Sequence, residues 1–241
     1  GKVASGVINT SFGNTLRGFM ILTAYEKRYK YKEYVVMQLG DDNVIFVRSL
    51  AEFNLPRFVE FCKHLGHKLE AVHRPDPDYA EFCSQRFWNI GSQYVLGPKP
   101  GRVLSKSFIC HDTALRSEDM PGYITGIARG FKHYNWIPVL GTFCANLITK
   151  NAPLTRRAES SLARAANPYK VFLRSELTID KGSVHAQFSK IYGFDPNVIE
   201  ATIQDMKIVT GKAWYNESLR HMAQVDGGYD PDACYEFLCH G

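Results

Sequence analysis

Apolar and polar positions divide this chain into a first part that predicts short strands between helices and a second part that is mainly helical. From Thr10 to Glu26, the residues Leu16, Phe19, Met20 and Ala24 recur at helical spacing and predict a helix. Two apolar runs, Tyr34–Leu39 and Asn43–Val47, flank Gly40-Asp41-Asp42 and predict an antiparallel hairpin with a tight turn. Residues 50–66 predict a second helix, with Leu50, Phe53, Phe58, Phe61 and Leu65 on its buried face and Pro56 in its first turn or interrupting it. Lys68–Val72 reads as a short strand, and Pro75 and Pro77 mark a loop. Phe82–Trp88 and Ser92–Leu96 read as two strands joined around Asn89-Ile90-Gly91.

Gly97-Pro98-Lys99-Pro100-Gly101 punctuates the chain, and the main junction is placed there, dividing 1–97 from 98–241. Beyond it, residues 113–116, 121–134, 137–150, 154–166, 196–210 and 216–224 predict helices. Asp195 is a natural N-cap, Pro196 suits a first turn, and Ile199, Ile203, Met206 and Val209 form an apolar face. The fold class is therefore α+β: an antiparallel sheet backed by helices, followed by a mainly helical region.

At 241 residues, 45% hydrophobic and 22% charged, the chain has the composition of a folded globular protein rather than a disordered one. Its net charge of +5 matters through its placement. Lys150, Arg156, Arg157, Arg164, Lys170 and Arg174 fall in one stretch with a single acid, Glu159, so the remainder is close to neutral. A local basic stretch on a near-neutral body suits phosphate-backbone binding, with an ordinary solvated face as the alternative. Arg156, Ser160 and Arg164 share one helical face, while Leu154, Ala158 and Leu162 share another. The six cysteines form no CxxC pair, which points to a reducing compartment. Cys62, His64, His67 and His73 match no common zinc spacing. No apolar stretch is long enough to span a bilayer, so no transmembrane segment is expected.

Candidate chemistry centres on Gly40-Asp41-Asp42. Adjacent acids at a hairpin tip repel each other unless a cation is near, and Mg²⁺ favours carboxylates together with substrate phosphates. The triplet thus points to metal-assisted phosphoryl or nucleotidyl transfer, against the plain alternative of an Asp-rich surface turn. Upstream, Ser5-Gly6-Val7-Ile8-Asn9-Thr10-Ser11-Phe12-Gly13-Asn14-Thr15 joins a flexible glycine loop to a helix. Thr10 and Asn14 are four apart and share a face, and groups of this kind can read a ribose 2′-hydroxyl. Helix capping is the alternative for one or two of them.

SGxxxTxxxNT, then about 25 residues later a hydrophobic-GDD-hydrophobic hairpin, resembles motifs B and C of a viral RNA-dependent RNA polymerase of the positive-strand RNA virus type. Lys63-His64-Leu65-Gly66-His67-Lys68-Leu69-Glu70 resembles motif D, and Glu81-Phe82-Cys83-Ser84-Gln85 resembles motif E. The four follow the family's order over residues 3 to about 106. The resemblance implies a partial right-hand palm followed by a helical thumb. It implies RNA-directed RNA polymerase activity, a nucleotidyltransferase reaction from NTP to an RNA 3′-end, with Mg²⁺ or Mn²⁺ held by Asp41 and Asp42. Ser5, Gly6, Thr10 and Asn14 would handle the incoming nucleotide, and Lys68, or Lys63, would be a general acid toward pyrophosphate. Phe82, Cys83 and Ser84 would hold the primer end. Lys99, Arg102, Lys106, Arg156, Arg157 and Arg164 would contact RNA template and product.

Two elements of the family pattern have no counterpart here. Motif A, DxxxxD, ordinarily precedes motif B, where only four residues stand, and Asp226, Asp230 and Asp232 have the wrong spacing to replace it. The basic fingers element is also missing. The resemblance therefore implies a C-terminal polymerase portion, inactive without fingers and motif A supplied in cis or on another chain. Its expected setting is the host cytoplasm, at viral replication complexes. A reverse transcriptase and a non-catalytic, palm-like RNA-binding replication subunit are the two alternatives.

Overall fold

A computed structural model describes residues 10–107, 114–150, 153–165, 177–204 and 217–228. The chain divides into two compact units, Gly1–Gln85 and Arg86–Gly241. Residue 97, the expected junction, lies inside the second unit, within the strand Tyr94–Pro98 that a helix follows directly.

In the first unit, α1 (Thr10–Tyr29) leads to β1 (Tyr34–Leu39) and β2 (Asp42–Val47), then to α2 (Leu50–Phe53) and α3 (Leu55–His64). β1 and β2 pair antiparallel with Leu39 opposite Asp42, so a two-residue loop closes them. Because side chains alternate between faces, Tyr34, Val36, Ile45 and Val47 turn to the helices and join the core. Val35, Leu39 and Phe46 lie on the other face and are exposed.

The core is aromatic. Tyr25 of α1 stands 4.7–5.6 Å, centroid to centroid, from Tyr29, Phe53, Phe58 and Phe61. Its buried hydroxyl donates to the Phe53 carbonyl, tying α1 to the α2–α3 corner. The helix expected over 50–66 is broken at Asn54. This residue takes φ +54, caps the end of α2, and accepts the Arg57 N–H through its side chain at the start of α3. Pro56 falls in the first turn of α3, where no amide hydrogen is needed. Leu50 and Leu65, expected inside, are exposed: Leu50 opens α2 and Leu65 caps the end of α3. The strand expected at Lys68–Val72 belongs to no sheet. The unit ends with β3 (Glu81–Phe82), which lies beside β2.

The second unit begins in β4 (Gln85–Asn89), which pairs with β5 (Tyr94–Pro98). Helices α4 (Pro100–Ser107), α5 (Met120–Gly130), α6 (Leu140–Lys150), α7 (Arg156–Ala165), α8 (Lys181–Tyr192), α9 (Pro196–Gln204) and α10 (Glu217–Val225) follow. Trp88, Ile137, Leu140, Phe143, Phe188 and Met222 are wholly or almost wholly buried in its interior. α4 and α10 approach closely at Gly101, where an added Cβ would lie 2.2 Å from the Met222 carbonyl oxygen. Among the described residues no helix is long and apolar enough to cross a membrane.

An ion pair between the buried Asp119 and the exposed Arg157 shows how α7 is anchored. Asp119 accepts from Thr155 Oγ1 at 2.5 Å, Arg157 Nε at 2.7 Å and the Arg116 N–H at 3.0 Å. The Arg157 hydrogen bond above all, with those of Thr155 and Arg116, lowers its carboxyl from 3.8 to about 2. The fold thus favours the charged form. That contribution is complete above the unfolded value near 4 and is lost as pH falls through about 2. The expected result is a fall in urea midpoint between about pH 4 and pH 2 that Asp119→Asn, already weakened at neutral pH, does not repeat. Parallel acid profiles for the two proteins would refute the assignment.

Candidate active site

Gly40-Asp41 forms the loop between β1 and β2. Gly40 takes φ +63, a conformation L side chains rarely adopt, whereas Asp41 does not, which is the requirement of a type II′ hairpin turn. The turn therefore places Asp41 at the tip, exposed, while Asp42 opens β2.

Asp41 borders a cavity of about 230 Å³ inside the first unit. Asn14, Arg17 and Gly18 of α1 line it, as do Gln38 and Asn43 of the hairpin, and His67 and Lys68 after α3. Three of the anticipated site residues, Asn14, Asp41 and Lys68, thus meet at one cavity although 54 positions separate the first from the last. Thr10 is the first residue of α1, one turn before Asn14. Ser5 and Gly6 lie outside the described residues. Lys68 Nζ also reaches Glu70 Oε1 at 2.7 Å, an exposed pair of the kind that contributes little to stability and is easily exchanged.

On the other side of the hairpin tip stands the turn from β3 to β4. Cys83 and Ser84 both have positive φ, +50 and +62, the pattern of a type I′ turn built without Gly or Asn. The Cys83 thiol lies against Asp42. Burial first, then the charge and hydrogen bond of Asp42 and the charge of Asp41, push that thiol up. Phe82, half-buried, precedes it in β3. Of the three anticipated primer-end residues, Cys83 lies against the second acid.

Among the described residues no group of three or more His, Cys, Asp or Glu side chains converges as a closed metal cage. Two exposed carboxylates at a turn are nonetheless the donor set Mg²⁺ uses when substrate phosphates complete its shell. Cys62 and His64 do not converge as metal ligands: Cys62 is buried in the aromatic core and the His64 ring bonds the Glu60 carbonyl.

Two residues that bear on the turn went unassigned in the sequence reading. Thr15 Oγ1 accepts the Gly40 N–H at 2.7 Å and donates to the Ser11 carbonyl at 2.8 Å. Gln38 Nε2 donates to the carbonyls of Gly40 at 2.9 Å and Asp42 at 3.3 Å. Thr15 closes the NT pair of the motif, which was the available signal for it. Gln38 carried none, since a polar residue two before an acidic turn is unremarkable. Arg17, three residues after Asn14 on α1, shares its cavity and was legible from that spacing.

The basic residues of the second unit sort differently from expectation. Lys99 is buried, and its charge opposes the rise that burial gives the Asp226 pKa, so it is not part of an exposed RNA-binding surface. Burial and the neighbouring Arg102 charge lower the Lys106 pKa. Arg102 donates to the Gly227 carbonyl at 2.7 Å. Arg157 is engaged by Asp119 and by Glu118, the latter at 2.6 Å, so its charge is neutralised locally. Arg156 and Ser160 are exposed on α7; of the residues expected on its apolar face, Ala158 is buried and Leu162 half-buried, whereas Leu154, which precedes the helix, is exposed. The Arg164 side chain, Asp230 and Asp232 lie outside the described residues. Asp226 is buried in an ion-paired network, a setting that excludes it as a replacement motif A acid.

No curated protein matches the sequence. The family model described as viral RNA dependent RNA polymerase matches residues 1–192. With the acid hairpin, the motif B helix and the first hundred positions all inside that match, the chain belongs to the viral RNA-dependent RNA polymerases, a family of nucleotidyltransferases.

Proposed function

We propose that this chain carries the acid turn and nucleotide-reading helix of a polymerase that transfers nucleoside monophosphate from NTP to an RNA 3′-end. The observation that supports this most is the meeting of Asn14, Asp41 and Lys68, from three separate motifs, at one cavity. Asp41, assisted by Asp42, would hold divalent ions, which when bound supply Lewis-acid chemistry at phosphate oxygens. Asn14 reads the sugar of the incoming nucleotide, and Lys68, released from Glu70, offers its proton toward the pyrophosphate oxygen. Phe82, Cys83 and Ser84 hold the strand end beside Asp42. Arg156 contacts the backbone of the duplex product. The fingers and the first motif A acid come from residues outside this sequence, in cis or on another chain, and the setting is a viral replication complex in the host cytoplasm.

The test is primer extension by a polymerase assembled with this chain. Chelation abolishes the reaction, Mg²⁺ or Mn²⁺ restores it, and ribonucleotides are preferred to deoxyribonucleotides. Asn14→Ala removes one hydrogen bond to the 2′-hydroxyl and reduces that preference about tenfold. Equal use of both sugars by the unaltered enzyme, or synthesis without divalent ions, would end this reading.

A further inference from the structure

We infer that Thr15 and Gln38 are positioning residues for the acid turn, fixing Gly40–Asp42 against α1 so that the Asp41 and Asp42 carboxylates stand at one place. The inference rests on reading those acids as metal ligands, and it concerns how they are held rather than what they bind.

The geometry is specific. The Thr15 hydroxyl gives its proton to the Ser11 carbonyl one turn back along α1, which directs an oxygen lone pair outward. That lone pair receives the Gly40 N–H, a donor on a buried residue. Gln38 works from within the hairpin. Its single amide nitrogen bridges the carbonyls of Gly40 and Asp42, the two that flank Asp41. Two side chains therefore engage three backbone groups of a three-residue stretch and leave the Asp41 side chain exposed.

These bonds are not required to make the hairpin. A Gly-Asp loop in a II′ turn closes two strands unaided, and the Leu39–Asp42 register already completes the ladder. What they add is a fixed distance between the turn and α1. The arrangement also carries local costs. The Gln38 Oε1 atom is buried and has no hydrogen-bond partner among the described residues. Turning the amide over would set that oxygen against two carbonyls, so its orientation is dictated by the turn. Gly18 accommodates the same side chain, since an added Cβ would lie 2.4 Å from Gln38 Oε1. A glycine inside a 20-residue helix and an unsatisfied amide oxygen are both unfavourable for folding. Both are explained if the amide must reach the turn.

The consequence is a rigid link between two tasks. Asn14 and Thr15 are consecutive on one helix, so the residue at the nucleotide cavity and the residue gripping the acid turn cannot move independently. A displacement of about 1 Å in such a constellation can cost on the order of a hundredfold in rate.

Thr15→Val keeps the shape and removes the hydroxyl. In the polymerase assembled with this chain, kcat is expected to fall about tenfold to a hundredfold, with KM for NTP nearly unchanged and a higher Mg²⁺ concentration needed for half-maximal rate. Thr15→Ser is expected to restore both values, and Gln38→Met to reproduce the loss. Circular dichroism and melting temperature establish that each variant is folded. If Thr15→Val does not fold, Gln38→Met decides by the same two readouts. Wild-type kcat and Mg²⁺ dependence in the folded variant would overturn the inference, and so would a Thr15→Ser protein as impaired as Thr15→Val. An Asp41→Asn control separates the two layers. Activity retained there removes the metal-ligand reading and the inference with it. Activity lost there but normal in Thr15→Val removes the inference alone.

Discussion

Asp41→Asn is expected to lower the rate of ribonucleotide transfer about a thousandfold while leaving the fold intact. Asp41 is exposed at the tip of the β1–β2 loop and, among the described residues, forms no hydrogen bond or ion pair through its side chain on which the fold depends. Asparagine is as acceptable in a turn as aspartate and relieves repulsion with Asp42. Stability should therefore change by no more than about 0.5 kcal/mol. The amide is a far poorer ligand for a hard divalent cation. Losing about 4 kcal/mol of transition-state charge stabilisation corresponds to about a thousandfold in rate. Asp42→Asn should also impair transfer, and because Asp42 faces Cys83 it should alter the reactivity of that thiol as well. Single-turnover extension of a labelled RNA primer, read beside thermal melting, measures both terms. A folded Asp41→Asn protein within a few-fold of wild-type rate would remove the catalytic assignment of the turn.

The hairpin carrying this residue was legible because two independent local signals agree there. Apolar runs of strand length flank a loop whose first residue is the amino acid that adopts φ +63 most readily. Local signals fail where the outcome depends on a distant partner. Leu16, Phe19 and Met20, whose spacing predicts α1, are all exposed, while Leu22 and Tyr25 of the same helix are buried. α1 is apolar on two faces, and the aromatic side chains of α2 and α3 determine which one enters the core. The α2–α3 break was readable in principle, since Asn54 two residues before Pro56 is a helix start.

α8 was missed outright. It opens with Lys-Gly-Ser, a poor first turn rescued by the Asp180 cap, and its buried face contains a glutamine that obscures the apolar period. That glutamine, Gln187, accepts the Asn89 N–H at 2.6 Å and donates to the Phe87 carbonyl at 2.8 Å, serving β4 as a neighbouring strand would. The site divides on the same principle. Asp41, Asn14 and Lys68 announce themselves by motif. Thr15 and Gln38 become visible only when hydrogen bonds bring α1 to the turn. Lys99 read as a surface cation because the acid near it is 127 positions away.

That acid, Asp226, supports the second large effect. Arg86→Met is expected to destabilise the second unit by about 3–5 kcal/mol, because it removes one partner of a buried charge pair and leaves the other. Asp226 is fully buried and Arg86 nearly so, with their charged atoms 3.2 Å apart. Tyr192 donates its hydroxyl to the same carboxylate at 2.8 Å and the Gly101 N–H does so at 2.8 Å. The group thus joins β4, the start of α4, the end of α8 and the residue following α10. Burial raises the Asp226 carboxyl pKa, and Arg86 is the strongest influence opposing that rise. Removing Arg86 therefore raises it further. Below the unfolded value near 4 the carboxyl is neutral in both states and the variant's added penalty vanishes. As pH increases above that value the unfolded chain ionises first, so the deficit of Arg86→Met grows toward neutral pH. Pairing it with Asp226→Leu should recover much of the loss, since a buried ion pair replaced by apolar side chains is often tolerated. Urea denaturation of the three proteins at several pH values between 4 and 8 measures the deficit, its slope and its recovery. A single variant within about 1 kcal/mol of wild type at pH 7, or a deficit that shrinks as pH rises, would mean that the Arg86–Asp226 charge pair does not hold these elements together.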